Sequence, residues 1–517
     1  MRSHLFRSIG AFAALAMGAM GAATSASAAV PTGGNLTVVM VGVEFENLDA
    51  GLDLHNVTDQ QMMDAIYGDL FIQKPGGKVV PYMAKSYKYS GDTLTINLRH
   101  GMKFSDGTPY NAQAVQFSIQ RDLDPKNFCG CLNDFHLVNG VTTSGEYTVV
   151  LHLSAPDPEI VQAFIDNAPN WTVSEHAVQT ESPQEFAAHP IGAGPFVVQS
   201  MEPDVKVALT KNPTYWQAGH PYLDSLTFVV TNEDESAYEA LQAKTAQVAL
   251  GTTTPSIVNQ AKSGGFQVFN LPGVTGTTLE FNTKVAPLNN IIAREAIADS
   301  INPQAIVNAV SPKFGTTFEG NSGGPGSKFF EKTVPGYHTY NLAKAQALVK
   351  QLGGLSFTLE GGTTPTQEAL QEAIQSELQK AGIKLTLEPE TLTVEEQHLK
   401  DGNWQSLTGG AGGVDPDLGP QSLPRRFTTT GTYSCCHDPN LDAMVAKSVQ
   451  VTNLKAREAL FKEINAYIAK EAYVADLYST PTPVIAASGV GNLNPLPSAS
   501  GGITTDIDWY NVFLKNA

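Results

Sequence analysis

Residues 356–390, SFTLEGGTTPTQEALQEAIQSELQKAGIKLTLEPE, spell out one complete strand–helix–strand unit. SFTLEG (356–361) is short, apolar and β-rich, and it leads straight into a punctuated helix. Thr364 can cap that helix, Pro365 takes its first position, and Gln367 completes a capping box. Leu370, Ala373, Ile374 and Leu378 recur at helical spacing and predict its buried stripe. Gly382 ends the helix, and IKLTLEPE resumes as a strand. A crossover of this length joins parallel neighbours and runs right-handed. The chain therefore contains at least one α/β layer.

A second unit of the same kind lies upstream. SLTFVV (225–230) predicts a strand, Ala237, Leu241 and Lys244 fall at helical spacing, and QVALG (247–251) is extended again. Two separate α/β sheets are expected, one before and one after about residue 280. Around them, NLTVVMVGV (35–43) reads as a buried opening strand. Residues 87–104 alternate on either side of a Ser-Gly-Asp turn, which predicts a hairpin. A helix is expected to start at Asn111, with Ala114, Val115, Ser118 and Ile119 on one face. Near the C-terminus Asp438-Pro439 opens one helix and Asn453 caps another, whose Leu460, Ile464, Tyr467 and Ile468 point inward. Residues 473–479 then predict a strand before a Pro/Gly/Ser-rich tail.

Composition sets the class. The 517 residues suggest about three domains, and 42% hydrophobic content supports sizeable cores rather than disorder. Lys and Arg total 32 against 50 Asp and Glu, a formal charge of −18. Such a surface repels phosphate backbones and anionic lipid, so nucleic acid is not an expected partner and a soluble monomer is. Arg2 and Arg7 form a basic start, Ile9 to Ala23 is apolar, and Ala26-Ser27-Ala28 fits a signal-peptidase site. Residues 1–28 are thus expected to be a signal peptide. No Cys stands near that cleavage site to carry lipid, which predicts a periplasmic, soluble protein that is not a lipoprotein.

Cys129, Cys131, Cys435 and Cys436 would meet an oxidising compartment, where structural bridging is expected and three pairings are open. Their spacing does not ask for zinc. The 11 His include no pair at i,i+4, and no phosphate-binding glycine loop occurs, so neither metal nor cofactor is expected. Gly320-Asn321-Ser322-Gly323-Gly324 satisfies G-x-S-x-G, but Pro325 follows, where the nucleophile elbow needs a helix. Asp415-Pro416-Asp417 could do acid–base work, grip a ligand or form a turn. Nothing here demands an enzyme.

Longer motifs go further. Residues 81–125 carry Leu98-Arg99, Gly101-Met102-Lys103-Phe104 and Asp106-Gly107-Thr108-Pro109. Gly192-Ala193-Gly194-Pro195 and Lys211-Asn212-Pro213-Thr214-Tyr215-Trp216 follow. Then come Phe281-Asn282-Thr283, Arg294-Glu295-Ala296 with Asp299, Asp415-Pro416-Asp417, and the run from Tyr433 to Asp442. In this order they closely resemble the signature of the family 5 extracellular solute-binding proteins, the peptide, nickel and opine receptors of ABC importers. The set spans nearly the whole chain after the signal peptide.

The resemblance implies an α/β, two-lobed periplasmic binding protein of class II, large type, with an extra β-rich subdomain and a hinge between lobes. Lobe I would combine 29–70, 190–281 and 478–517, the subdomain would be 71–189, and lobe II would be 282–477. The hinge would lie near Phe281 and Leu477. Arg99, Asp106, Gly107 and Trp216 would hold turns and packing. Ligand contacts would come from Glu44, Phe45, Asn282, Trp404, Asp415, Asp417, Arg425 and Tyr433; for each, an exposed loop position is the rival role, and Trp404 could instead be core. Peptide receptors of this kind carry W-x-x-D ahead of the D-P-D, its Asp pairing the peptide ammonium. Here an ungapped count puts Gly409 and Gly412 at those places. The implied function is capture of a peptide or peptide-like polar solute for an ABC permease, or of an opine, a sugar-containing compound or a nickel chelate. The rival from another class is a periplasmic hydrolase using Ser322 or the Asp415/Asp417 pair.

Overall fold

The unit at 356–390 folds as its punctuation demands: strand Leu355–Gly361, helix Pro365–Lys380, strand Ile383–Pro389. The computed structural model describes residues 30–515 except 43, 44, 46, 53–59, 76, 77, 128, 133, 159, 166, 253, 274, 275, 313, 321–329, 364, 411–422, 424–426, 432, 433, 452 and 498–504. The Thr364 cap lies outside the described residues. The two strands pair in parallel from Leu355 opposite Ile383 to Gly361 opposite Pro389. Leu370, Ile374 and Leu378 are buried against Phe357, Leu359 and Leu385, each contributing about 1.5–3 kcal/mol of apolar burial. At Gly382 a φ of +80° turns the chain back toward the sheet, a conformation that favours glycine. Three further strands complete a five-stranded sheet in the order Ile383–Pro389, Leu355–Gly361, Ser406–Gly410, Thr277–Phe281, Val474–Tyr478.

The second sheet has seven strands. Asn35–Val41 lies inside it, parallel to Ser225–Thr231 on one side and Val248–Leu250 on the other. Its alternate side chains enter two cores: Leu36, Val38 and Met40 join one cluster, Val39 and Val41 another with Ala237, Leu241 and Ile257. Burial on both faces is why the run reads as continuously apolar rather than alternating. The helix of this unit, Asp234–Gln242, stops before Lys244, which sits in a turn at φ +61°. Lys244 is thus no part of the helical stripe. After the five-stranded sheet the chain returns to this one. Thr482–Ala486 inserts between Val248–Leu250 and Gln267–Leu271, antiparallel to both.

A four-stranded antiparallel sheet packs on the helix Ala112–Asp122. Its first hairpin joins Ala84–Ser90 to Thr93–Leu98 through Gly91-Asp92, and its second arm is shorter than the alternation to 104 suggested. Asn111 caps the helix, its Oδ1 accepting from Ala114 N at 3.1 Å. At the other end Arg121 grips buried Asp49 with both Nη atoms, at 2.8 and 2.5 Å. The Gly192 and Gly194 motif also has a steric cause: a Cβ on either would overlap the Ile66 backbone. Disulfides join Cys129 to Cys131 and Cys435 to Cys436.

Candidate functional site

The chain passes between the two large sheets twice. Gln267–Leu271 of the seven-stranded sheet leads through 272–276 to Thr277–Phe281 of the five-stranded one. Val474–Tyr478 leads back through 479–481 to Thr482–Ala486. Both crossings leave from one edge of the five-stranded sheet, because Thr277 pairs with Tyr478 there. Gly410 pairs with Thr277 at that edge as well, so the ends of the parallel strands, Gly361, Pro389 and Gly410, share it. In α/β sheets the carboxyl ends of parallel strands are where ligands bind.

At the opposite end of the strand Thr277–Phe281, side chains are held by backbone. Asn282 is 1% exposed; its Nδ2 donates to Trp404 O at 2.8 Å and Gly402 O at 3.3 Å, and its Oδ1 accepts from Lys284 N at 3.1 Å. Thr283 donates through both N and Oγ1 to Cys435 O, and Lys284 Nζ donates to Ser434 O at 3.0 Å. Partial burial lowers the Lys284 pKa. The bridged Cys435–Cys436 pair is thereby laced to the residues that follow Thr277–Phe281 of the five-stranded sheet. Thr283 and Lys284 were not singled out in the sequence; the F-N-T match reached Thr283, but the partner lies about 150 residues away.

The positions expected to touch ligand divide into two groups. Phe45 is buried in the seven-stranded sheet's core, its N donating to Asp204 Oδ1 at 2.8 Å. Trp404 is 4% exposed and packs with Leu407, Phe427, Cys435 and Phe461. Asn282 and Trp404 are brought together; Phe45 belongs to the other sheet. Glu44, Asp415, Asp417, Arg425 and Tyr433 lie outside the described residues, as do Ser322 and Gly412. Gly409 sits within the strand Ser406–Gly410, opposite Thr278.

The signature residues near residue 100 form one assembly. The Arg99 guanidinium lies 4.8 Å over the Trp216 ring while its Nε donates to Tyr82 O at 2.6 Å. Asp106 accepts from Thr108 N at 2.8 Å and from Ser174 Oγ at 2.9 Å, closing a turn whose Gly107 has φ +87°. Arg294 is buried and donates to Leu288 O and Glu471 O, its guanidinium 5.3 Å over Tyr473.

A cavity of about 360 Å³ opens beside the second crossing, lined by Phe318, Glu319, Tyr337, His338 and Asp476. Burial pushes the Asp476 carboxyl up to about 8, against the opposing pull of the Gly320 N–H and the Tyr337 hydroxyl. Deeper in the rim, His338 bridges toward Asp299, which Lys344 also pairs at 2.8 Å. Nothing in this arrangement aligns a nucleophile with a base.

The sequence model described as bacterial extracellular solute-binding proteins, family 5 middle, matches residues 78–433. Among curated proteins, the chain is 26% identical over 449 residues to the glutathione-binding protein GsiB of Pectobacterium atrosepticum, covering 82% of this chain and 85% of that one. The GsiB of Salmonella choleraesuis is 26% identical over 475 residues, covering 88% and 91%. Among solved structures, the ABC transporter substrate-binding protein CtaP of Listeria monocytogenes superposes with a TM-score of 0.78 at 22% identity, over 94% of this chain and all of that one. The Helicobacter pylori periplasmic binding protein DppA, solved with the peptide STSA, gives 0.78 at 21%, over 94% and 99%. AgaA of A. tumefacien R10, solved with agropinic acid, gives 0.78 at 22%, over 93% and 99%. These likenesses establish the two-lobed periplasmic-binding-protein fold.

Proposed function

The chain belongs to the family 5 bacterial extracellular solute-binding proteins, and from that premise we propose that it is the periplasmic receptor of an ABC importer for a peptide-like solute. The observation that carries this reading is the pair of crossings at one sheet edge, joining two α/β bodies whose facing rims can close on a solute. Two crossings confine the change in φ/ψ to a few residues. Closure is driven by contacts the solute makes better in the closed state. The lobes we assign follow the expected 29–70, 190–281 and 478–517 for the first, with 71–189 attached, and 282–477 for the second, with one change. The boundaries and hinge move from Phe281 and Leu477 to the crossings at 272–276 and 479–481, because Thr277–Phe281 and Val474–Tyr478 are both strands of the five-stranded sheet. The protein works as a monomer in the periplasm and hands the solute unaltered to permease subunits. No helix among the described residues is long and apolar enough to cross a membrane.

We assign direct contacts to Glu44, Asp415, Asp417, Arg425 and Tyr433, and supporting roles to Phe45, Asn282 and Trp404, whose side chains are turned into cores or committed to backbone. The relatives named for glutathione suggest a short γ-linked peptide. A glycine at 409 supplies neither ring nor charge there, so the solute's ammonium would be met by Asp415 or Asp417. An unpaired buried ammonium would cost several kcal/mol. Thermal-shift and calorimetric titration with glutathione, an α-linked tripeptide and an opine test this. A solute at 100 times its Kd raises stability by about 2.7 kcal/mol. Saturable binding of glutathione or the tripeptide, with the compound recovered intact, is expected. Binding of the opine alone moves the assignment to the non-peptide branch, and recovery of cleaved product ends the receptor reading.

A further inference from the structure

Glu360, Glu390 and His398 converge at the crossing edge of the five-stranded sheet, and we propose that they form a binding site for a first-row divalent transition-metal cation. The three come from separate elements: Glu360 from the strand Leu355–Gly361, Glu390 from just beyond Ile383–Pro389, and His398 from the helix Leu392–Asp401. Glu390 N donates to Gly361 O at 2.9 Å, which fixes the two strand ends against each other and holds both carboxylates in place.

The geometry suits a metal. His398 Nδ1 lies 3.2 Å from Glu360 Oε2 and 3.1 Å from Glu390 Oε2, and one ligand atom from each residue falls within 4.8 Å of the others. Ligand bonds of about 2.1 Å put neighbouring donors about 3.0 Å apart in an octahedron and about 3.4 Å apart in a tetrahedron. Both imidazole–carboxylate separations fall between these values. One nitrogen and two carboxylate oxygens form a donor set that Zn²⁺, Mn²⁺, Co²⁺ and Ni²⁺ accept, with open positions left for water or a solute group.

The electrostatics point the same way. Glu360 is 4% exposed, and Glu390 Oε2 is shut off from water without accepting a hydrogen bond. Among the described residues, Glu388 acts on Glu360 and Asp401 on His398, both anionic. These two carboxylates add to the negative charge of Glu360 and Glu390, which a dication would offset. Searching the sequence for His pairs at i,i+4 or for Cys spacing could not find this site, since its ligands are 30 and 8 residues apart.

The test is isothermal titration of the purified, chelator-treated protein with ZnCl₂ and, separately, MnCl₂, repeated on H398Q and E390Q. Both positions are partly exposed, so these variants should keep the wild-type fold, which circular dichroism and a melt in EDTA verify. The expected result is one saturable Zn²⁺ equivalent, weakened about tenfold or more in each variant. An absence of saturable binding by wild type to either ion overturns the proposal. So does unchanged affinity in either folded variant, which would put the ion elsewhere. Neither outcome depends on which solute the cleft takes.

Discussion

Replacing Asp476 by Asn probes a buried carboxyl at the second crossing, and its effect can be worked out in advance. The folded-state pKa of about 8 stands well above the ordinary carboxyl value of 3.8. A raised acid pKa means the native protein holds a proton that the unfolded chain releases, so stability falls as pH rises between the two values. Each unit is 1.36 kcal/mol. From pH 5 to pH 8 the wild-type protein should therefore lose about 3–4 kcal/mol through this one group, the slope flattening above pH 8. Asparagine does not titrate and nearly matches the carboxyl in shape. Urea unfolding of both proteins at pH 5 and pH 8 isolates the group, because every other titration cancels in the difference. The stability of D476N relative to wild type should rise by about 3–4 kcal/mol across that interval. A difference that is the same at both pH values would show that Asp476 ionises normally, and the account of burial given for it would be wrong.

Three further outcomes are expected. R121M leaves the 2%-exposed Asp49 side chain without its bidentate partner, which should cost about 3–5 kcal/mol in denaturant unfolding; loss under 1 kcal/mol would mark the pair as effectively solvent-screened. W404A should destabilise by about 3–5 kcal/mol as a core truncation; full stability with lost solute affinity would restore Trp404 to the binding surface. N282A strands the Trp404 carbonyl and should cost about 1–3 kcal/mol in denaturant unfolding, and a neutral result would show that the Asn282 hydrogen bonds do not hold this end of the strand.

Local order was legible because it is written in neighbouring residues. The capping and stop signals around Pro365 and Gly382, the cap at Asn111 and the caps at Asp438 and Asn453 all act within a few residues. The helices they predict occupy Pro365–Lys380, Ala112–Asp122, Pro439–Gln450 and Leu454–Lys470. Family membership was legible for a related reason: Gly192, Gly194, Arg99 and Trp216 are each constrained by contacts that tolerate few alternatives.

What the sequence could not state was which distant segments meet. Thr482–Ala486 has the same β-branched character whether it ends one sheet or enters another, and pairing with Val248–Leu250 is settled by backbone hydrogen bonds that no side-chain pattern records. Phe45 and Trp404 could equally have lined a cleft or filled a core, since an aromatic ring is suited to both, and the surrounding clusters decided for the core. The cysteines allowed three pairings, and only the folded chain joined each to its near neighbour. Glu360, Glu390 and His398 became a cluster because two strand ends and a helix arrive at one rim. Periodicity and caps act over one or two turns of chain, whereas sites are assembled across sheets, where sequence separation says nothing about distance.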